Sequence, residues 1–281
     1  MHIRFLMGLL RLCVFCQPGA ACAISIQSFP IELHDGLIWL HVDADSSRRP
    51  LNFLLDSGAD VSVIDLATAR ELDLPLGRRV VVRGIHEKTF GYWPQHLKGD
   101  TNSLPLPANL LCVDLNVLGR ACECRLDGLL GADFFREHVV QIDFAARTMR
   151  LLPAAGHDFA GNSLPLRQHH GALLVPVEVN HHENQWMRLD TGCAGALHWV
   201  TSTAEAHDLD SQPAIALTTL RVPMSRTTVR LGEESFDSVP TGLHSKRIFP
   251  GEAGLLGTGL LSKFRTMTVD AAAGRLLLSR N

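Results

Sequence analysis

The chain lacks any apolar run of the ~18 residues that a bilayer-spanning helix needs. It has no excess of positive charge: the formal net charge of -3 gives no electrostatic reason to expect nucleic-acid binding. No His-Glu-x-x-His ligand motif, no Gly-x-Ser-x-Gly elbow and no phosphate-loop lysine motif occurs. Gly257-Thr258-Gly259 is a fragment of a dinucleotide fingerprint, without the third glycine or the βαβ context. Cys112, Cys122, Cys124 and Cys193 include no Cys-x-x-Cys pair, so no metal site or cofactor is expected from them. Charge is modest at 20% against 46% hydrophobic residues, which describes an ordinary globular protein of 281 residues rather than a disordered one.

The N-terminus differs in character from the rest of the chain. Arg4 precedes an apolar stretch from Phe5 to Phe15, interrupted by Arg11. Ala21-Cys22-Ala23 then has the small-x-small form of a secretory cleavage site. Residues 1–23 are therefore expected to be a signal peptide, making the mature protein secreted or periplasmic. The competing readings are a plain N-terminal extension and, fitting less well, a lipid anchor at Cys22. Cys13 and Cys16 would leave with the signal. In an oxidising compartment Cys112 is expected to be able to bridge Cys122 or Cys124 across adjacent strands, with no choice between them.

What the chain does have is one short motif twice. Leu54-Leu55-Asp56-Ser57-Gly58-Ala59 is answered by Arg188-Leu189-Asp190-Thr191-Gly192-Cys193. A strand-like run opened by glycine, Gly36 to Val42 and Gly171 to Val177, begins 20 and 19 residues before the respective acid. Downstream, Gly128-Leu129-Leu130-Gly131 is matched by Gly254-Leu255-Leu256-Gly257, and Gln141-Ile142-Asp143 by Thr268-Val269-Asp270. The two acids are 134 positions apart, Gly128 and Gly254 are 126 apart, and Asp143 and Asp270 are 127 apart. Four landmarks in one order at a nearly constant shift read as an internal duplication. The period is too long for a solenoid and suits two related lobes. The boundaries are expected at 24–153 for the first lobe, 154–162 for a linker rich in Gly and Ala, and 163–281 for the second.

Most segments read as short strands, among them 37–43, 51–55, 61–64, 79–83 and 139–144. Helices are few and short. One is expected over 65–72 with Asp65 as N-cap, a counterpart over 201–207, and two more over 132–138 and 258–264. The fold class is mainly β, with two duplicated β-barrel-like lobes and a few short helices. The pairs His169-His170 and His181-His182 flank expected strands and read as solvated loop residues.

An aspartate at a strand end, before a tight turn, is held rigidly and pushed out of the sheet. Glycine at the third position leaves room beside the carboxylate. A hydroxyl at the second can hydrogen-bond across to the partner loop. Two carboxylates brought together cannot both ionise cheaply, so they share a proton: one acts as base toward water, the other polarises a carbonyl.

With the apolar-apolar-Gly segments, this pattern resembles the aspartic proteases, more narrowly the retropepsin-like bacterial family whose two lobes lie on one chain, as in pepsin. The resemblance covers roughly residues 30–281. It implies the acid protease fold, Asp56 and Asp190 as the catalytic pair, and Ser57 and Thr191 as cross-braces. Gly58 and Gly192 would permit the turns, and the Leu-Leu-Gly segments would pack beneath the acids. It also implies a monomer that is an intramolecular pseudo-dimer, a polypeptide substrate, and a β-hairpin flap. The flap candidate is 84–93, with Gly84, Ile85 and Tyr92, whose ring would either be packed, the commoner place for an aromatic on a strand, or face the substrate; Arg221 to Arg226 takes the matching place in the second half. Cys193 departs from the family's small residue and reads as a buried packing residue. The rival reading is a non-catalytic peptide-binding or scaffold protein of the same ancestry.

Overall fold

The computed structural model describes residues 26–83, 88–97, 104–153, 161–201, 212–215 and 219–280. The expected signal segment, with Cys13, Cys16 and Cys22, lies outside them, as do residues 154–160 of the linker. Gly84 and Ile85 of the flap candidate lie outside them as well, and so does the expected helix beyond Thr201.

The protein is mainly β. Every segment expected as a strand is one, with ends moved by one or two residues: Leu37–Val42, Leu51–Leu55, Val63–Asp65, Arg78–Arg83 and Val139–Asp143. The helices Leu66–Glu71, Ala132–Glu137 and Thr258–Leu261 stand where expected. Asp65 caps the first of these, accepting from the N–H groups of Ala67 and Thr68. The helix Asn116–Ala121 was not expected; Leu115 stands at its N-cap and makes no side-chain cap bond, and the start is held one residue earlier, where Asp114 Oδ1 accepts the Asn116 N–H at 2.9 Å.

Three large sheets organise the described residues, beside a two-stranded one in which Gln212–Ile215 pairs with Thr219–Val222. The first half forms an eight-stranded sheet in the order Glu32–His34, Leu37–Val42, Leu51–Leu55, Gly128–Leu130, Val63–Asp65, Leu110–Val113, Lys88–Gln95, Arg78–Arg83. The second forms a seven-stranded sheet in the order Arg167–His169, Ala172–Val179, Gln185–Asp190, Gly254–Gly257, Leu197–Val200, Glu234–His244, Met224–Leu231. The first seven places follow the same order in both, and Arg78–Arg83 is the additional edge strand of the first. Each half slots its Gly-Leu-Leu strand beside the strand that ends at the acid, in parallel. That inserted strand then pairs antiparallel with the strand after the acid. The second sheet closes on itself through Glu178↔Arg230 and Val179↔Val229. Among the described residues no matching pairing closes the first.

A third, six-stranded sheet takes three strands from each half: Gln27–Pro30, Thr148–Leu152 and Val139–Asp143, then Thr266–Asp270, Arg275–Ser279 and Asn162–Pro165. The halves meet where Val139–Asp143 pairs antiparallel with Thr266–Asp270. Gln141 donates to the Thr268 hydroxyl across that seam at 3.0 Å.

Strand alternation decides what is buried. Phe53 and Leu55 enter a large core that runs through both halves, whereas Leu54 between them enters a smaller one with Leu37, Trp39, Val63 and Leu129. Each such apolar side chain contributes about 1.5–3 kcal/mol by leaving water. Two carboxylates thus sit at the ends of strands that are largely buried on both faces.

The cysteine expectation is corrected. Cys112, Cys122, Cys124 and Cys193 are all free thiols. Cys112 lies in the large core, whereas Cys122 caps the unexpected helix and lies in the smaller one. They are not on adjacent strands. His169, His170, His181 and His182 are exposed at or beside turns, as expected. Among the described residues no helix is long and apolar enough to cross a membrane.

Candidate active site

Asp56 and Asp190 stand at the ends of buried strands, one directly after Leu51–Leu55 and the other closing Gln185–Asp190. The Asp56 N–H donates to the Leu130 carbonyl at 2.9 Å, so the Gly-Leu-Leu strand fixes the base of the first loop. The second loop is fixed likewise, with Asp190 in register with Gly257. Each short helix then ties its loop from below: the Ala132 N–H donates to the Ala59 carbonyl at 2.7 Å, and the Thr258 N–H to the Cys193 carbonyl at 2.8 Å.

The two loops lock reciprocally. The Ser57 N–H donates to the Thr191 hydroxyl at 2.9 Å, and the Thr191 N–H donates to the Ser57 hydroxyl at 3.1 Å. Each hydroxyl in turn donates across to the other half: Ser57 to the Leu189 carbonyl at 2.8 Å, Thr191 to the Leu55 carbonyl at 2.7 Å. Both side chains are fully buried. Polar groups without access to water therefore satisfy one another, and removing either hydroxyl orphans two of its partners.

The glycines do the same in steric terms. A methyl group on Gly58 would collide with the Asp190 carboxyl, and one on Gly192 with the Asp56 carboxyl. Each acid packs against the backbone of the opposite loop, and only glycine leaves space for it. Each carboxyl thus lies against the loop that carries the other, close enough for the two to act on each other's ionisation.

Burial pushes both carboxyls above the ordinary range. For Asp56 it is opposed by the N–H groups of Ala59 and Gly58, which donate to Oδ1 at 3.1 and 3.0 Å. For Asp190 burial acts together with the charge of Asp56, and the carboxyl is pushed up to about 8. Among the described residues one N–H, that of Gly192, donates to the Asp190 Oδ1, at 3.0 Å. Asp56 is thus the better-solvated carboxylate and Asp190 the better proton holder, with the pair titrating as a unit.

Cys193 is buried beside the acids. Burial first, then the Asp190 charge, pushes its thiol far above the usual range, while the Gly195 N–H opposes them. It is inert packing, as expected. Tyr92 sits on the hairpin strand Lys88–Gln95, and its ring packs partly buried against the large core, which is the commoner of the two places open to it.

Sequence reasoning missed one residue of this site. Arg188, two positions before Asp190, is 4% exposed. Its guanidinium forks onto Glu252, with Nε to Oε2 at 2.8 Å and Nη2 to Oε1 at 2.6 Å. Nη1 reaches the other half, donating to the Gly58 carbonyl at 2.6 Å and to Asp60 Oδ1 at 2.9 Å. The available signal was a charge inside an apolar strand, where the first motif has Leu54.

The geometry is that of two acid-bearing loops built into one site by reciprocal bonds. The sequence as a whole matches no protein-family model and no curated protein closely enough to place it in a family.

Proposed function

We propose that the chain is an aspartic endopeptidase, a two-lobed acid protease on one chain that hydrolyses peptide bonds with a water held between Asp56 and Asp190. The observation that carries this is reciprocity: each loop's glycine leaves room for the other loop's acid, and each hydroxyl braces the other loop. Such a double lock has one evident use, which is to hold two carboxyls at a fixed, short separation in a dry place.

The reaction follows from the charges. The Asp56 carboxylate takes a proton from water as the oxygen attacks the scissile carbonyl carbon. The Asp190 carboxyl gives its proton to the carbonyl oxygen, leaving a neutral gem-diol. The proton on Asp56 then passes to the amide nitrogen as the carbon–nitrogen bond breaks, and Asp190 recovers a proton from one gem-diol hydroxyl. The pair ends with the single proton it began with.

The hairpin Arg78–Arg83 with Lys88–Gln95 serves as the flap in this reading. Val81 and Phe90 face each other across it and are 60% and 53% exposed. An apolar cross-strand pair left in solvent suits a surface that closes over an extended peptide.

The test is cleavage of an unfolded protein substrate across acid to neutral pH. The wild type should cut, and Asp56→Asn and Asp190→Asn should each lose cutting by about three orders of magnitude or more. Undiminished cleavage by either variant sinks the pair. Binding of peptides by the wild type without any cutting would favour the non-catalytic alternative.

A further inference from the structure

Arg188 does more than fill a buried place. Its Nη1 donates to the Gly58 carbonyl, and the N–H of the same Gly58 donates to Asp56 Oδ1. One residue is therefore held from both sides: by the guanidinium of the second half and by the carboxylate of the first. The same Nη1 holds Asp60 Oδ1, two residues further along the first loop. The guanidinium cannot drift, because Glu252 binds it in a fork and the Phe249 ring lies against it at 3.8 Å from the centroid. Arg136 fastens the loop's far side, with Nη2 donating to the Asp60 carbonyl at 3.3 Å and Nη1 donating to the Gly171 carbonyl of the second half.

The arrangement has no twin. The position two before Asp56 is Leu54, which enters the smaller apolar core. A duplicated site with one arginine is therefore unsymmetrical by construction. A buried charge of this kind is also poor value for stability alone, since apolar residues of similar volume often serve as well.

We propose that Arg188 is a positioning residue of the catalytic pair: it clamps the Gly58–Asp60 turn to the second catalytic strand and assigns Asp56 the role of base. This rests on the proteolytic reading above. A fixed cation near both acids also favours their ionised forms, and the Arg188 charge does lower both carboxyls against the upward push of burial. The other titratable or charged groups around the pair are Asp60 on the first loop, Cys193 on the second, Glu252 beyond Arg188, and Arg136, Asp133 and His198 behind the loops.

Three variants separate position from charge. Arg188→Lys keeps the charge and loses the fork, since an ammonium cannot span Glu252 and Gly58 together. It should lower kcat about 10–100-fold with KM little changed, and leave both limbs of the pH profile of kcat/KM in place. Arg188→Leu with Glu252→Leu removes the ion pair without orphaning a buried charge. Both limbs should then move to higher pH, by about half a unit to one unit, because both acids lose a cation. Glu252→Gln, which leaves Arg188 on Asp60 and Gly58, should leave the limbs unmoved. A double variant with wild-type limbs and wild-type kcat, whatever its melting temperature, would make Arg188 purely structural and overturn the proposal, as would a Lys variant with unchanged kcat. Carbon-13 titration of the Asp190 carboxyl reads the same shift without turnover. If the wild type cuts nothing, the proteolytic reading falls, yet an upward shift on that titration still supports the clamp's electrostatic half and no shift still overturns it.

Discussion

At the scale of the residue, the site depends on small groups that touch two halves at once. Thr191→Ala would leave the Leu55 carbonyl and the Ser57 N–H without partners in a place water does not reach. We expect a stability loss of about 2–4 kcal/mol in denaturant unfolding and a kcat loss of about 100-fold, because the loops lose their register. Thr191→Ser keeps the hydroxyl and should keep most activity. Gly192→Ala puts a methyl into the Asp56 carboxyl and should abolish cleavage while leaving the strands intact by circular dichroism. Cys193→Ala should be close to neutral for activity, and the thiol should resist alkylation in the folded protein, since burial keeps it protonated. The acids, hydroxyls and glycines were legible in the sequence because the same triplet stands twice, and each residue type has one job there. Arg188 was not, because a single charge in an apolar strand gives no hint of which half it will touch. The cysteines misled for a related reason: 112, 122 and 124 are close in number, but a helix intervenes, leaving Cys112 in the large core and Cys122 and Cys124 at the smaller one.

At the scale of the element, the acids are supported by a polar cluster well away from them. Asp127, fully buried just before the Gly128–Leu130 strand, accepts the Arg49 fork at 2.7 and 2.8 Å, the Asn52 N–H at 2.9 Å, the Thr68 hydroxyl at 2.7 Å and Arg125 Nε at 3.0 Å. Burial alone would raise its carboxyl, but the Arg49 fork and the other donors outweigh it and hold it well below the usual carboxylate range. A depressed acid stabilises the fold above its unfolded titration range, and that contribution is lost as pH falls through the folded value. Asp127→Asn should therefore cost stability at neutral pH, and the difference from wild type should shrink as the pH drops below about 4. Arg49 and Arg125 are partly exposed, so solvent screens them, and about 2 kcal/mol is expected by urea unfolding rather than the loss seen for fully buried pairs. The short helices explain how much of this layer the sequence carried. Leu66–Glu71 has a strong start signal in Asp65, whose Oδ2 takes two N–H groups and whose Oδ1 takes that of Leu115. Asn116–Ala121 has an apolar N-cap, Leu115, with its acceptor displaced to Asp114, a weaker signal.

At the scale of the whole molecule, two like-ordered sheets meet through a six-stranded sheet to which each half contributes three strands, and the acids meet where the two halves join. The repeat in the sequence carried the strand order, because apolar runs and glycines recur in step. It did not carry the closure of the second sheet, which depends on Glu178 and Val179 finding a strand about fifty residues further on. Burying an acid at this junction opposes stability. The folded state binds the Asp190 proton more tightly than the unfolded chain, so folding is disfavoured progressively as pH rises from the ordinary carboxylate range to about 8. Asp190→Asn removes that opposition and should raise the melting temperature at pH 8, with a smaller effect at pH 4, while removing activity. Separately produced halves 24–153 and 163–281 should each fail to cleave, since each supplies one acid and one half of every brace.

If Asp56 and Asp190 share one proton, each carboxyl must feel the charge of the other. Carbon-13 titration of the Asp190 carboxyl in the wild type and in Asp56→Asn tests it most directly. The midpoint should lie at about 8 in the wild type and fall clearly in Asp56→Asn, because the neighbouring negative charge is gone. An Asp190 midpoint that is the same in both proteins, or that lies in the ordinary range in the wild type, would contradict it.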